Sequence, residues 1–273
     1  MQLYNYDGNI YQSKSFFTPG KNFFQFFFDI MHYFAFPFPD AGETIENIPV
    51  KRSARRRSIA VKIRPDGTCE ILAPASATTA MLKSAIEKFS PWIQQKLAQI
   101  EQLPAEFKPH RFEFAPDNTF FFCGQACRLE FLPNSSAGII CLREGKLLTP
   151  SPEPDKIKMM LEAFYRRQAR QLITAAVHTH CRRLNLAVNS ININGARRRF
   201  GSCSSRGDLN FSWHLAMYPL PLIEYVILHE LAHLTEMNHS ARFYKLLDSY
   251  LNDRPAREKE LKLWTAKLSG YPE

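Results

Sequence analysis

Two histidines and a glutamate in one short apolar stretch are the residues of this sequence best suited to chemistry. His229 and Glu230 are adjacent, and His233 follows four residues after the first histidine. On a helix that turns about 100° per residue, these side chains fall near 0°, 100° and 40°, within a narrow arc. Imidazoles and a carboxylate on a buried face cost free energy unless something pairs with them. A bound cation meets that need.

The coordination chemistry of Zn²⁺ fits this spacing. Neutral imidazoles at positions i and i+4 of a helix can bind one ion, and three protein ligands leave one position open for water. The third predicted ligand is His239, six residues after His233. The ion lowers the pKa of its bound water, and Glu230, which is adjacent but not a ligand, can take the proton. The alternative is two core histidines beside a surface glutamate, and His239 and the surrounding apolar residues argue against it.

Other reactive side chains are weaker candidates for the chemistry. Ser202 and Cys203 lie in one short motif, but the sequence places no base beside them, so a strand role is favoured over a nucleophilic one. Cys203 as a fourth zinc ligand would close the site and make it structural. Four more residues could stabilise a developing oxyanion or bind substrate, and the sequence does not rank them: Arg197, Arg199, His214 and Tyr244.

The helix that carries the motif is predicted to be buried, because residues 222–234 are apolar on nearly every other face. Prolines favour a helix start at Pro219. The helix is predicted to end at about Met237, with Asn238 as a left-handed stop that returns His239 towards the ion. Ser240 is predicted to cap the next helix.

The order of the remaining elements predicts an α+β fold with a β-rich N-terminal portion and a helical C-terminal portion. Alternating apolar residues predict a hairpin from strands at 59–63 and 69–73. Pro91 should kink or split the helix that follows, at 77–103. The other predicted elements are short strands between 112 and 148, a helix at 155–186, an extended segment at 188–194, a hairpin at 200–214, and helices at 241–251 and 256–268.

Residues 1–47 differ in composition from the rest and are predicted to be an N-terminal extension. They hold fourteen of the 35 aromatic residues. The apolar run from Phe23 to Phe36 is interrupted by polar residues and is shorter than the roughly 20 residues that span a bilayer. No signal peptide or transmembrane anchor is therefore expected. The six cysteines lack a secreted-scaffold pattern, which favours reduced thiols in the cytoplasm.

The net charge of +9 is unevenly distributed. Residues 1–47 hold two Lys/Arg and five Asp/Glu, a net charge of −3, so the remaining residues carry +12. A basic surface favours an anionic partner such as a nucleic acid, a nucleotide or an acidic polypeptide. Charge alone does not separate this interpretation from that of a protein that is simply basic.

Several motifs closely resemble the YgjP-like (DUF45) metallopeptidase-type family, which is related to the WLM and SprT-like zinc proteins. They are Arg197 to Cys203, Leu209-Asn210, Tyr225 to His233, and Asn238-His239-Ser240 with Phe243. The resemblance covers about residues 50–268. It implies that His229, His233 and His239 are zinc ligands and that Glu230 is the catalytic glutamate. Phe200 replaces the tryptophan that is common in that family, which keeps an aromatic residue. A metzincin likeness is weaker, because Glu236 stands where the metzincin glycine turns the chain.

Together these observations predict a zincin-like metallohydrolase domain at 48–268, with a β-rich part at 48–150 and a zinc-binding helical part at 151–268. The predicted function is a zinc-dependent hydrolase of the metallopeptidase type, in which zinc-bound water attacks a carbonyl and Glu230 is the general base. One alternative is a nucleoside triphosphate pyrophosphohydrolase at the same metal site, because zinc does not choose between carbonyl and phosphoryl centres. Another is a nucleic-acid-binding module with a structural zinc. The substrate is thus a peptide or a nucleotide.

Overall fold

A computed structural model describes residues 44–45, 48–64, 67–133 and 138–271 of the chain. It has a mixed α+β fold with strands in the N-terminal part and helices in the C-terminal part, as predicted. The chain divides into two compact units, with the boundary between Leu103 and Pro104. The domain at 48–268 and its division at residue 150 stay predictions. Of the predicted extension at 1–47, only Thr44–Ile45 is described. None of the described helices is both long and apolar enough to cross a membrane.

The first unit is a four-stranded sheet with one helix. Its strands are β1 (Thr44–Ile45), β2 (Ile48–Ser53), β3 (Ala60–Ile63) and β4 (Cys69–Pro74), in the order β1-β2-β4-β3. The antiparallel pairing of β3 with β4 confirms the first predicted hairpin, and β2 pairs with β4 in parallel. The apolar face of the helix α1 (Thr79–Glu101) belongs to the same buried cluster as the sheet.

The helix α1 continues as one helix through Pro91, so a split at this residue is wrong, and the alternative of a kink stays a prediction. The helix starts where Thr78 accepts a hydrogen bond from the backbone N–H of Met81. Buried side chains lie on both sides of the proline, Ile86 before it and Ile93 after it. Proline removes one helical hydrogen bond, and burial of the apolar face outweighs that loss because each fully buried aliphatic side chain contributes about 1.5–3 kcal/mol.

Glu70 is a buried carboxylate in the first unit that is surrounded by cations. Its oxygens lie 3.3 Å from Lys51 Nζ, 3.7 Å from Lys62 Nζ and 3.0 Å from Arg64 Nη2. Burial raises the pKa of Glu70, but the charges and hydrogen bonds of Arg64 and Lys51 outweigh it. The pKa is therefore below its ordinary value of 4.5. A pKa that is lower in the folded state stabilises the fold above pH 4.5, and this stabilisation is lost as the pH falls through the folded-state pKa.

Glu70→Gln is expected to lower the free energy of unfolding at pH 7 by about 1–2 kcal/mol, since the charge-assisted hydrogen bonds are lost beside partly solvated cations. Urea denaturation of both proteins between pH 7 and pH 3 measures the effect. The difference between wild type and variant should shrink below pH 4.5. A difference that stays constant over this range would show that the Glu70 charge does not stabilise the fold.

The second unit begins with a second four-stranded sheet. A 3-10 turn at Ala105–Phe107 precedes the strands β5 (Thr119–Phe122), β6 (Gln125–Phe131), β7 (Cys141–Arg143) and β8 (Lys146–Thr149). Their order is β5-β6-β8-β7, and only β6 and β8 are parallel. The strands predicted between 112 and 148 are confirmed from residue 119 onward, while residues 112–118 form turns and irregular chain.

The helical part of the second unit encloses a small three-stranded sheet. The elements are α2 (Pro154–Leu184), β9 (Ser190–Asn194), β10 (Gly201–Cys203), β11 (Asp208–Ser212), a 3-10 turn (Trp213–Met217), α3 (Leu220–Ala232), α4 (Ala241–Tyr250) and α5 (Arg254–Leu268). The sheet order is β10-β11-β9. The strands β10 and β11 are antiparallel, which confirms the second predicted hairpin.

The side chain of Asp208 holds the turn between β10 and β11 in place. Its carboxylate accepts hydrogen bonds from Ser190 Oγ at 2.7 Å, Asn189 Nδ2 at 2.5 Å and Ser204 Oγ at 3.1 Å. Ser204 follows β10, and Asn189 and Ser190 lie at the start of β9. The position of β10 is therefore fixed against the rest of its sheet.

Candidate metal centre

The helix α3 places His229 and Glu230 in the interior of the second unit. Both side chains are only 3% exposed. The helix ends at Ala232, so the predicted end at Met237 is wrong. The chain tightens into i→i+3 hydrogen bonds at Leu234 and Thr235 instead of continuing as an α-helix.

His233 is the first residue after α3 and keeps right-handed helical angles, φ −66° and ψ −17°. Its side chain therefore stays on the same side as His229, one helical turn away. Asn238 is not among the described residues with positive φ, so the predicted left-handed stop is wrong. The chain instead reverses direction in the turn after Ala232, and this turn brings His239 back to the helix.

The nitrogen atoms of three histidines meet at one point of the second unit. One ring nitrogen from each of His229, His233 and His239 lies within 4.8 Å of the others, and these residues are the one such metal-ligating group found in the described part of the chain. The Nε2 atoms of His229 and His239 are 3.0 Å apart. Two nitrogens about 2.0–2.1 Å from a tetrahedral zinc ion would be about 3.3 Å apart. The His229–His239 pair therefore fits a shared divalent ion after a shift of a few tenths of an ångström.

Hydrogen bonding orients the second of these rings. His233 Nδ1 donates to the backbone carbonyl of Glu236 at 3.0 Å, which leaves Nε2 of the same ring without a proton and available as a ligand. Nδ1 of His229 is buried and has no hydrogen-bond partner among the described residues. Of the three imidazoles, the His233 ring is thus the one whose tautomer is fixed by a backbone acceptor among the described residues.

Phe243 packs against all three imidazoles. Its ring centroid lies 4.9 Å from that of His229, 4.6 Å from that of His233 and 4.7 Å from that of His239. Phe243 is fully buried on α4. Ser240 caps this helix by accepting the backbone N–H of Phe243 at 3.4 Å, as predicted. The cap therefore fixes both the entry of α4 and the ring that supports the three histidines.

Burial keeps the three imidazoles neutral. It lowers the pKa of His229 to about 2, with added repulsion from His233 and His239. It lowers the pKa of His239 to about 4. The pKa of His233 is also lowered by burial, against the opposing effect of its bond to the Glu236 carbonyl. Because metals bind the neutral form of imidazole, the histidines are in the ligand-competent state at neutral pH.

Glu230 lies beside the histidines but is not part of their group. Burial raises the pKa of its carboxyl to about 8, and the charge of Arg199 opposes this shift. Its side chain lies against Gly201 in β10. A Cβ atom added at Gly201 would be 2.7 Å from both Cγ and Oε1 of Glu230. The carboxylate can reach this position only because residue 201 has no side chain.

Gly201→Ala is expected to displace the Glu230 carboxylate while the three histidines keep their positions. A displacement of about 1 Å at a catalytic group can lower the rate about 100-fold. Given the general-base role predicted for Glu230 from the sequence, we expect a roughly 10–100-fold loss of the predicted hydrolysis with unchanged metal content. Ser202→Ala is the matched control, because neighbouring residues of a strand face opposite sides and residue 202 therefore points away from Glu230. Equal activities of the two variants would contradict the role of Gly201.

The other residues singled out from the sequence lie in different surroundings. Burial, with the charge of Glu230, raises the pKa of Cys203 to about 11, and Cys203 is not part of the histidine group. The Tyr244 ring is 6.3 Å from that of His239. His214 contacts Ser212, and Arg197 donates to the backbone carbonyl of Tyr271.

Two residues that shape this centre, Gly201 and Phe243, have no individual role predicted from the sequence. Their positions depend on how β10 and α4 pack against α3. The signal in the sequence was the presence of both residues in the family motifs, which does not say what each contacts.

Comparison with known proteins gives a family match. A search of curated proteins finds no match. Among solved structures, the chain is similar to the metallopeptidase zymogen of Methanocaldococcus jannaschii jannalysin, with 26% sequence identity over 33% of this chain and 92% of that chain. The TM-score of 0.30 is too low for a conclusion about the fold. The family model for the YgjP-like metallopeptidase domain matches residues 57–263, which include the three histidines and Glu230. The chain belongs to the YgjP-like metallopeptidase domain family.

Proposed function

We propose that this chain is a zinc-dependent hydrolase that cleaves peptide bonds. The observation that carries the proposal is the group of three imidazoles, two buried and one half-buried, whose nitrogens lie within 4.8 Å of one another, with the buried side chain of Glu230 next to His229 on the same helix. Membership of a metallopeptidase family supports a metallopeptidase-like function. In this proposal His229, His233 and His239 hold the ion, and residues 48–268 form one zincin-like domain.

The proposed reaction divides the work between the ion and Glu230. A zinc ion with three protein ligands supplies Lewis-acid activation of water and of the scissile carbonyl. Burial favours the protonated form of Glu230, and the charge of a bound cation would favour the ionised form. In its ionised form, Glu230 accepts a proton from the attacking water and later gives it to the leaving amine, which is general base and then general acid catalysis by one carboxyl group. The buried position of Glu230, 3% exposed, strengthens its electrostatic interactions because little water screens them.

The edge strand β10 is the proposed binding site for an extended peptide. The backbone carbonyl of Phe200 accepts a hydrogen bond from the N–H of Ser212 at 2.8 Å. The backbone N–H of Ser204 donates to the carbonyl of Asp208 at 3.0 Å, so the residues on either side of β10 bond to β11. In an antiparallel pair, alternate residues bond to the partner strand. The backbone groups of Gly201 and Cys203 therefore face the outer edge of the described sheet. A peptide paired there would lie next to Glu230, which contacts Gly201.

Parallel assays test this proposal against its alternatives. The purified protein, with and without added zinc, is incubated with casein and a peptide library, and separately with nucleoside triphosphates. Zinc-dependent peptide cleavage that a chelator abolishes is the expected result. Release of phosphate or pyrophosphate without peptide cleavage would favour the pyrophosphohydrolase alternative. Salt-sensitive binding of DNA or RNA without turnover of either substrate would favour the nucleic-acid-binding alternative.

A further inference from the structure

Three buried polar atoms have no hydrogen-bond partner among the described residues. They lie where the end of β11 meets the C-terminal end of the second unit. They are Trp213 Nε1, His214 Nε2 and Tyr271 Oη. The Trp213 and His214 rings stack with centroids 3.7 Å apart. The Tyr271 ring meets both edge-on, at 5.9 Å and 6.1 Å. Because unpaired buried polar atoms are rare, three of them on touching rings indicate a missing partner.

All three atoms are positioned to donate a hydrogen. Indole Nε1–H is only a donor, and a phenol O–H can donate. Ser212 Oγ accepts the backbone N–H of His214 at 3.3 Å and lies 2.9 Å from Nδ1 of the same residue. The hydroxyl of Ser212, 1% exposed, therefore donates to Nδ1, and the proton of the neutral ring is on Nε2. Burial and the charges of Arg197 and Arg166 lower the pKa of His214 to about 3, so the ring is neutral.

Two guanidinium groups give this cluster a positive potential. Arg166 Cζ lies 5.8 Å from the centroid of the Trp213 ring. Arg197 Nη1 donates to the backbone carbonyl of Tyr271 at 3.3 Å. Glu162 is the carboxylate that opposes them; it bonds to Arg166 at 2.7 Å, and its charge acts on Tyr271. Two cations and one carboxylate leave a net positive charge beside the three donors.

Gly195 lies at the surface beside the indole N–H of Trp213. The residue is exposed, and a Cβ atom added to it would lie 3.1 Å from Arg166 Nη2 and 3.3 Å from Trp213 Nε1. Any side chain at this position would therefore crowd the indole N–H. The Arg166 side chain is itself 42% exposed. The indole N–H itself is buried, and these two residues lie next to it at the surface.

We infer that Trp213, His214 and Tyr271, flanked by Arg166 and Arg197, form a binding site for an oxyanion, the phosphate or carboxylate group of a small ligand. A water molecule could accept only two of the three hydrogens, and it would bring two hydrogens that need acceptors of their own. The oxygens of an oxyanion accept all three and bring none. The site shares no residue with the histidine group and does not rest on the proposed peptidase function.

The resonance of the Trp213 indole N–H in ¹H–¹⁵N NMR spectra of the full chain tests this site directly. The resonance is assigned by its absence from the spectrum of the Trp213→Phe variant. Sodium phosphate and sodium acetate are titrated separately against sodium chloride at equal ionic strength. A saturable shift of this resonance is expected with at least one anion. A response to phosphate alone identifies a phosphate-bearing ligand, a response to acetate alone a carboxylate, and a response to both a general oxyanion site.

Tyr271→Phe separates binding at this site from binding elsewhere. The variant lacks one donor, so the Kd should rise about tenfold or more, as for loss of a hydrogen bond to a charged group. Thermal unfolding in chloride should show no loss of stability, because the removed hydroxyl had no partner. Tyr250→Phe, which removes a hydroxyl bonded to Thr235, should leave the anion response unchanged. No saturable shift in the wild type, or the same Kd in Tyr271→Phe, would overturn the inference.

Discussion

Glu230→Gln should abolish most metal-dependent peptide hydrolysis while leaving metal binding intact. Glutamine keeps the shape of the buried side chain but cannot accept the proton of the attacking water. General acid–base catalysis typically contributes about 10²–10⁴-fold to the rate, so kcat/KM should fall by that factor. The substitution leaves the three imidazoles unchanged, so the metal content per chain should equal that of the wild type. Steady-state kinetics on a cleaved peptide and metal analysis of the same preparations provide the two measurements.

Glu236→Gln is the matched control for this substitution. Glu236 lies in the turn after α3 and orients His233 through its backbone carbonyl, which the substitution keeps. Its activity should therefore stay close to that of the wild type. Full activity of Glu230→Gln on a verified peptide substrate would show that the proposed mechanism is wrong, even if the metal site is right.

His239→Ala should lower zinc affinity more than any change outside the histidine group. Loss of an outer-shell partner of a ligand typically costs 10–100-fold in metal affinity, so we expect loss of a ligand to cost more than about 100-fold. Activity at limiting zinc should disappear with the metal. Zinc binding also stabilises the folded state, so a chelator should lower the Tm of the wild type and leave that of His239→Ala unchanged. Competition titration with a zinc indicator and thermal unfolding measure both effects.

His178→Ala is the control for His239→Ala, because His178 is exposed on α2 and is not in the histidine group. It should keep the affinity for zinc and the response of the Tm to chelator. If both histidine variants behave like the wild type, the ion is not held by His239. If both lose zinc, the effect is not specific to the group.

The sequence predicted the histidine group because the spacing is local. His229 and His233 are one turn apart on a helix, and His239 follows within a short turn, so the three nitrogens cannot lie far apart. The exact path of that turn was not predictable in the same way. The helix ends at Ala232 and not at Met237, because polar residues leave the buried region there. This end lets the Glu236 carbonyl accept a hydrogen bond from His233.

The other features that could not be predicted from the sequence depend on contacts between distant parts of the chain. Gly201 contacts Glu230 because β10 packs against α3. The residues next to Gly201 in the sequence do not indicate this contact. Tyr271 joins Trp213 and His214 through the return of the chain after α5. Pro91 shows the opposite case, in which a strong local signal is overridden by packing on both sides of it.

X-ray absorption at the zinc edge, combined with metal analysis, tests the central claim most directly. Wild-type protein with one equivalent of zinc should show about one ion per chain, with only nitrogen and oxygen neighbours at about 2.0–2.1 Å. His233→Ala should lose this ion. A sulfur neighbour at about 2.3 Å, or a zinc content that does not depend on His233, would contradict an open site of three histidines.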